Sequence, residues 1–145
     1  MTNHADKLVS TLKVLVVDDN AEMCNTIRRM LMDFGLTHIF TAKSGKEAVD
    51  FLNSADDGQA ADMILCDWNM PGMTGIELLR QIRSCDPDVP FIMITGNSDK
   101  DSVVEARAHG VTGYVAKPFS PAALHKKLSV VARMLAQRRE TAPAD

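Results

Sequence analysis

Residues 12–19 read LKVLVVDD, a short apolar run that ends in two aspartates. Three further apolar runs also end in a polar side chain: residues 63–66 lead into Asp67, 91–94 into Thr95, and 114–116 into Lys117. Helix-like segments separate the runs, and strands that alternate with helices predict a parallel sheet. Ligands of such sheets bind outside the carboxyl ends of the strands. We therefore expect three carboxylates, one hydroxyl and one ammonium group at one edge, which are the groups that a metal-assisted phosphoryl acceptor needs.

Capping residues mark where the intervening helices begin. A serine or threonine stands at three helix starts, and in two of them a glutamate follows three residues later, as in a capping box; the residues are Ser44, Thr74 and Ser120, with Glu47 and Glu77. Gly35 and Gly110 fit left-handed helix ends. The predicted strands are 12–17, 37–41, 62–66, 90–94 and 113–116, and the predicted helices are 20–34, 44–55, 75–84, 98–109 and 120–138. Five βα units result.

Length and composition limit the organisation and the partners. A chain of 145 residues with 46% hydrophobic content suits one domain, which we expect over 12–138 between polar tails at 1–11 and 139–145, with a loop at 53–61. A net charge of -3 gives no electrostatic reason to bind nucleic acid, so proteins are the expected partners. The chain shows neither a secretory signal nor a membrane-spanning run, so we expect a cytoplasmic protein without membrane insertion. Its three cysteines are interpreted as buried thiols.

The aspartates suit a divalent cation. Mg²⁺ prefers oxygen ligands and usually takes one or two carboxylates in addition to water and phosphate oxygens, which Asp18, Asp19 and Asp67 can accommodate. Without a cation, two carboxylates about 5 Å apart repel by roughly 3 kcal/mol at an effective dielectric constant of 20. The alternative is that Asp18 and Asp19 only cap the first helix, which is a common use of aspartate after a strand.

The remaining strand-end residues suit phosphoryl transfer. An aspartate such as Asp67 can accept a phosphoryl group as an acyl phosphate. The transferred group needs positioning and charge neutralisation more than proton transfer, and Lys117 can supply a positive charge and Thr95 a hydroxyl donor. Taken singly, Thr95 could be a turn residue and Lys117 a surface lysine. Their joint position at successive strand ends is the specific signal.

Four segments carry a resemblance to the receiver domains of two-component response regulators, in particular the CheY-like group; the segments are 14–19, 67–75, 94–96 and 113–119. The resemblance covers about residues 12–135. It implies a flavodoxin-like fold, a doubly wound parallel sheet of five strands in the order 2-1-3-4-5 with five helices. Receiver domains commonly have a cis peptide bond before the proline that matches Pro118.

The same resemblance assigns roles to the site residues. Asp67 would be the phosphoacceptor, and Mg²⁺ would be bound by Asp19, Asp67 and the backbone carbonyl of Asn69, with Asp18 acting largely through water. The switch and phosphate-binding positions would be Thr95, Tyr114 and Lys117. Two positions depart from the chemotaxis receivers: Asn20 replaces an aromatic residue, and Asn97 replaces an acidic one.

The expected function is that of a stand-alone response regulator. A sensor histidine kinase would phosphorylate Asp67, and the face formed by the fourth predicted helix, fifth strand and fifth helix would then bind a downstream target protein, for example in a chemotaxis-like pathway. An alternative is a phosphorelay shuttle that passes the phosphoryl group to a histidine phosphotransfer protein. A more remote alternative is an aspartyl-nucleophile phosphatase, but such enzymes need an acid–base residue two positions after the nucleophile, where this chain has Asn69.

Overall fold

Five strands and six helices alternate along the chain in the computed structural model, which describes residues 4–54, 61–96 and 100–141. The strands are β1 (Lys13–Val17), β2 (His38–Ala42), β3 (Met63–Asp67), β4 (Phe91–Thr95) and β5 (Gly113–Ala116). The helices are α1 (His4–Ser10), α2 (Ala21–Asp33), α3 (Gly45–Asn53), α4 (Gly75–Cys85), α5 (Lys100–Ala108) and α6 (Pro121–Thr141). All predicted elements are present.

The strands form one parallel sheet in the order β2-β1-β3-β4-β5, which confirms the predicted topology. The order reverses between β1 and β3, and ligands of doubly wound sheets bind at this switch point. β3 and β4 are buried along their whole length, as central strands of a sheet covered on both faces should be. β5 is an edge strand and is only partly buried.

Two apolar cores lie on opposite faces of the sheet. Val14 and Val16 point into the core shared with α2 and α6, whereas Leu15 and Val17 point into the core shared with α3, α4 and α5. This alternation follows from the two-residue period of a strand. The helices of both layers therefore hold the strand ends in place from above and below the sheet.

The capping role predicted for the three hydroxyl side chains is confirmed. Backbone N–H groups donate to the side-chain oxygens of Ser44, Thr74 and Ser120 at 3.1 Å, 3.2 Å and 3.1 Å. Gly35 and Gly110 follow helices with φ angles of +95° and +85°, in the left-handed region that the prediction assigned to them.

The N-terminal segment differs from the prediction. The sequence predicts five helices and a polar tail over 1–11, but residues 4–10 form the additional helix α1. Val9 is fully buried and Leu12 nearly so, and α1 contacts α6. A seven-residue helix is unstable alone and carries little periodicity, so its stability comes from this packing, which the local sequence does not reveal.

The C-terminal helix is also longer than predicted, since α6 continues to Thr141 rather than ending at 138. Residues 55–60 of the predicted loop, Asn97, and the tail beyond residue 141 lie outside the described residues. No helix in the described ranges combines the length and apolar character needed to span a membrane.

Candidate functional site

The carboxyl ends of the strands bring the predicted polar side chains to one edge of the sheet. Asp18 directly follows β1, Asp67 and Thr95 are the last residues of β3 and β4, and Lys117 directly follows β5. Asp18, Asp67 and Thr95 have exposed fractions of 1%, 8% and 3%, and they are the buried polar side chains in the part of the chain that the structure describes. Burial of polar groups is costly, so their concentration at one edge marks a functional site.

Three carboxylates and one ammonium group form the centre of the site. Asp18, Asp19 and Asp67 each offer an oxygen, and these oxygens lie within 4.8 Å of one another. The Lys117 Nζ donates a hydrogen bond to Asp67 Oδ1 at 3.1 Å and lies 4.0 Å from Asp18 Oδ2. One ammonium group thus faces two buried carboxylates, while Asp19 is exposed to solvent.

The two oxygens of Asp18 have different environments. Oδ1 accepts a hydrogen bond from the backbone N–H of Asn20 at 2.9 Å. Oδ2 is buried and accepts no hydrogen bond from the described residues. Burial raises the pKa of Asp18, the Asn20 hydrogen bond partly opposes this, and the charge of Asp67 raises the pKa further.

The donor set fits a hard divalent cation. All three candidate side-chain ligands offer carboxylate oxygens, and Asp18 Oδ2 is a buried oxygen to which none of the described residues donates a hydrogen bond. Mg²⁺ prefers such oxygen ligands. A cation would also relieve the repulsion between Asp18 and Asp67, which a single ammonium group only partly offsets.

The structure identifies Asn20 as the cap of α2, so the alternative that Asp18 and Asp19 only cap this helix is wrong. The Asn20 side chain accepts hydrogen bonds from the backbone N–H groups of Glu22 at 2.9 Å and Met23 at 3.2 Å. In the sequence, Asn20 was noted only as a departure from the chemotaxis receivers. The signal that would have found it is the preference for asparagine immediately before a helix.

Lys117 is held next to β4 by its backbone. Its N–H donates to the carbonyl oxygen of Thr95 at 2.7 Å, and its peptide bond to Pro118 is cis, as the sequence resemblance implied. The hydrogen bond to Thr95 holds the Lys117 backbone at the end of β4, next to the strand that ends in Asp67.

Two further predicted site residues, Asn69 and Tyr114, lie on the connection after β3 and on β5. Asn69 is exposed in the segment that connects β3 to α4. Tyr114 is half-buried on the edge strand β5, where it pairs in register with Met93, and the Lys127 Nζ lies 5.9 Å from the centre of its ring. Tyr114 also packs against the core that α3, α4 and α5 share with the sheet, and it is not one of the carboxylates of the cluster.

Two thiols lie beneath the site. Cys24 donates to the carbonyl oxygen of Asp18 at 3.3 Å, and Cys66 donates to that of Asp67 at 3.2 Å. Burial raises the pKa of both thiols, so they stay protonated at neutral pH and act as packed hydrogen-bond donors. Cys85 is exposed, so its interpretation as a buried thiol is wrong.

A groove of about 300 Å³ lies near the amino-terminal ends of the strands, between the C-terminal ends of α3 and α4. Its lining includes Leu52, Ile64, Ile82 and Val89 and contains none of the site residues. The groove therefore takes no part in the chemistry of the carboxylates.

Comparisons with known proteins found matches over most of the chain. The family model of the response regulator receiver domain matches residues 14–129. The chain is 38% identical over 122 residues to the chemotaxis protein CheY of Pseudomonas aeruginosa, covering 83% of this chain and 95% of that protein. It is 36% identical over 126 residues to CheY-3 of Vibrio cholerae, covering 86% and 94%. Among solved structures, CheY4 of Vibrio cholerae is similar, with a TM-score of 0.76, 34% identity, and coverage of 83% of this chain and 98% of that one.

Proposed function

Because the chain belongs to the family of response regulator receiver domains, we propose that it is a signalling switch whose Asp67 accepts a phosphoryl group from a sensor histidine kinase. One observation carries the proposal. Asp67 is buried at the end of β3, its Oδ1 lies 3.1 Å from the Lys117 Nζ, and it lies within the cluster of three carboxylates. An acceptor carboxylate needs such neighbouring groups to neutralise the transferred phosphoryl group.

The proposed reaction replaces one phosphoryl bond with another. A carboxylate oxygen of Asp67 attacks the phosphorus atom of a phosphohistidine on the kinase. The P–N bond breaks, its electron pair leaves with the imidazole, which takes up a proton, and an acyl phosphate forms on Asp67. Lys117 stays beside the modified carboxylate and neutralises the charge of the phosphoryl oxygens. The Thr95 hydroxyl donates a hydrogen bond to one of these oxygens.

A bound Mg²⁺ would supply positive charge for the phosphoryl oxygens and relieve the repulsion among the carboxylates. Its proposed ligands are Asp18, Asp19 and Asp67, with the backbone carbonyl of Asn69 and with Asp18 acting largely through water. The oxygen-only donor set and the orphaned Asp18 Oδ2 support this assignment. We propose that the protein is a cytoplasmic phosphoacceptor rather than a classical enzyme, and that it catalyses its own phosphorylation by the donor and its own dephosphorylation.

The proposed output surface is the face formed by α5, β5 and α6. β5 is the edge strand, and Ala106 of α5 and Leu128 of α6 are buried in the cores on its two sides. Val104 and Val130 are 62% and 49% exposed on these helices, which leaves apolar surface for a downstream target protein. The chemotaxis relatives make a chemotaxis-like pathway one setting in which such a target would be found.

Labelling with a small phosphodonor tests the acceptor. With acetyl phosphate and Mg²⁺, intact-mass spectrometry should detect one added phosphoryl group in the parent and in Asp50→Asn, an exposed control on α3, but none in Asp67→Asn. A chelator should suppress the labelling. Labelling of Asp67→Asn at the level of the parent would contradict the assignment. Transfer from purified histidine kinases would then identify the kinase partner.

A further inference from the structure

We propose that Asn20 is a positioning residue that directs Asp18 toward the metal. This inference rests on the proposed function, because it assigns a role in Mg²⁺ binding to a residue that is not itself a ligand. Asn20 connects two structures: its backbone N–H donates to Asp18 Oδ1, and its side-chain oxygen accepts from two N–H groups of α2.

The side-chain contacts fix the backbone of the turn. Asn20 has φ and ψ angles of -91° and 111°, the extended conformation of an N-cap residue, and its side-chain oxygen is held by Glu22 and Met23 at 2.9 Å and 3.2 Å. Its carbonyl oxygen also accepts from the backbone N–H of Cys24 at 3.0 Å. The side-chain oxygen and the carbonyl oxygen of Asn20 are thus both bonded to α2. The remaining backbone group, the N–H, is held in one orientation and donates to Asp18.

That N–H determines which oxygen of Asp18 faces the cluster. Oδ1 is engaged by Asn20 at 2.9 Å, so rotation of the carboxylate is restrained. Oδ2 is then left buried without a donor, 4.0 Å from the Lys117 Nζ. The Cys24 thiol donates to the backbone carbonyl oxygen of Asp18 at 3.3 Å, which is a second contact between Asp18 and α2. Groups that orient a metal ligand in this way typically change metal affinity by roughly 10- to 100-fold when they are removed.

A simple structural role for Asn20 makes a different prediction. If Asn20 only stabilises α2, then its replacement should resemble the loss of any other helix cap. Ser44 is the matched control, because its side chain accepts from the Glu47 N–H at 3.1 Å at the start of α3, and among the described residues it has no hydrogen bond to any of the three aspartates.

The experiment measures Mg²⁺ affinity and metal-free stability in the full chain. Mg²⁺ binding is followed by calorimetry and by fluorescence of Trp68, the neighbour of Asp67 and the only tryptophan. Asn20→Ala and Ser44→Ala should lower the thermal midpoint in chelator to a similar extent. Only Asn20→Ala should weaken Mg²⁺ binding, by roughly tenfold. Asn20→Ser keeps a capping oxygen and should restore most of the affinity.

The phosphorylation rate gives an independent reading. For Asn20→Ala, the Mg²⁺ concentration that gives half of the maximal rate with acetyl phosphate should rise by the same factor, while the rate at saturating Mg²⁺ stays near that of the parent. Parent-like Mg²⁺ affinity in Asn20→Ala would overturn the proposal, and so would an equal loss in Ser44→Ala. Absence of Mg²⁺ binding in the parent would overturn the metal site of the proposed function and this role with it.

Discussion

Asp18 is a carboxylate that the fold holds in an unfavourable environment. It is 1% exposed, one oxygen has no hydrogen-bond donor among the described residues, and a second buried carboxylate is nearby. These features raise its pKa, with burial as the largest cause. Because the folded state then binds the proton more tightly than the unfolded state, the contribution of Asp18 to stability is present at low pH. It is lost as the pH rises from the ordinary aspartate pKa through the raised one.

The raised pKa of Asp18 predicts that Asp18→Asn is more stable than the parent at pH 7 without metal, because the substitution removes a negative charge from the buried site. The advantage should shrink as the pH falls to about 4 and below, where the parent carboxyl also becomes protonated. Urea denaturation of metal-free protein between about pH 4 and pH 8 measures both effects. Asp50→Asn is the exposed control and should show neither. A parent that is more stable than Asp18→Asn at pH 7 without metal would refute this account.

The start of α4 is packed against the end of β3. An added Cβ on Gly75 would lie 2.6 Å from the carbonyl oxygen of Asp67 and 2.8 Å from the Met93 sulfur. The Gly75 N–H also donates to the carbonyl oxygen of Trp68 at 3.0 Å. The helix can therefore begin here only with glycine unless the backbone at Asp67 moves. Glycine at this position lets the helix support the strand end directly.

Gly75→Ala should consequently reverse the usual benefit of alanine in a helix, which is about 1 kcal/mol. We expect a net loss of about 1–3 kcal/mol in the free energy of unfolding, the range typical of overpacking. Gly45→Ala is the matched control, because Gly45 is also the first residue of a helix but its added Cβ would meet the side chain of Met73, which can move. Urea denaturation of both variants provides the comparison. Gly75→Ala that is as stable as the parent would show that the packing at this helix start is not restrictive.

Most elements could be predicted from sequence because their signals are local. Apolar runs identified the strands, and Ser44 and Thr74 identified helix starts, because a cap acts within three residues. α1 gave no such signal: the burial of Val9 depends on α6, more than one hundred residues away in the chain. Long-range packing of short segments is therefore what local patterns leave out.

At the scale of the whole molecule, the topology predicted which site residues meet but not how they share hydrogen bonds. The rule that ligands bind at strand ends brought Asp67, Thr95 and Lys117 to one edge. It did not reveal that Asn20 engages one oxygen of Asp18 and leaves the other buried. That division depends on the orientation of a single backbone N–H group, which no pattern of residue types specifies.

The sheet also connects the site to the proposed output face. Asp67 pairs in register with Ile94, next to Thr95, and Thr95 pairs with Ala116, two residues from Tyr114 on the edge strand. In the proposed switch, a phosphoryl group on Asp67 attracts the Thr95 hydroxyl, whose movement makes space for the Tyr114 ring. A phosphoryl group shifts such an equilibrium only by interacting better with one state, and the hydrogen bond from Thr95 provides the difference.

Removing the Thr95 hydroxyl should therefore leave modification of Asp67 possible but weaken the structural response of α5 and β5. We expect Thr95→Ala to bind the phosphate mimic beryllofluoride at Asp67 while the NMR shift changes in α5 and β5 fall to less than half of those in the parent. Shift changes at Trp68 should persist, since it adjoins Asp67 whether or not the hydroxyl is present. Thr41→Ala, an exposed threonine on the far edge strand β2, is the control and should respond like the parent. Because both variants lose the same atoms, a parent-like response around Tyr114 in Thr95→Ala would mean that the signal reaches the edge strand without this hydroxyl.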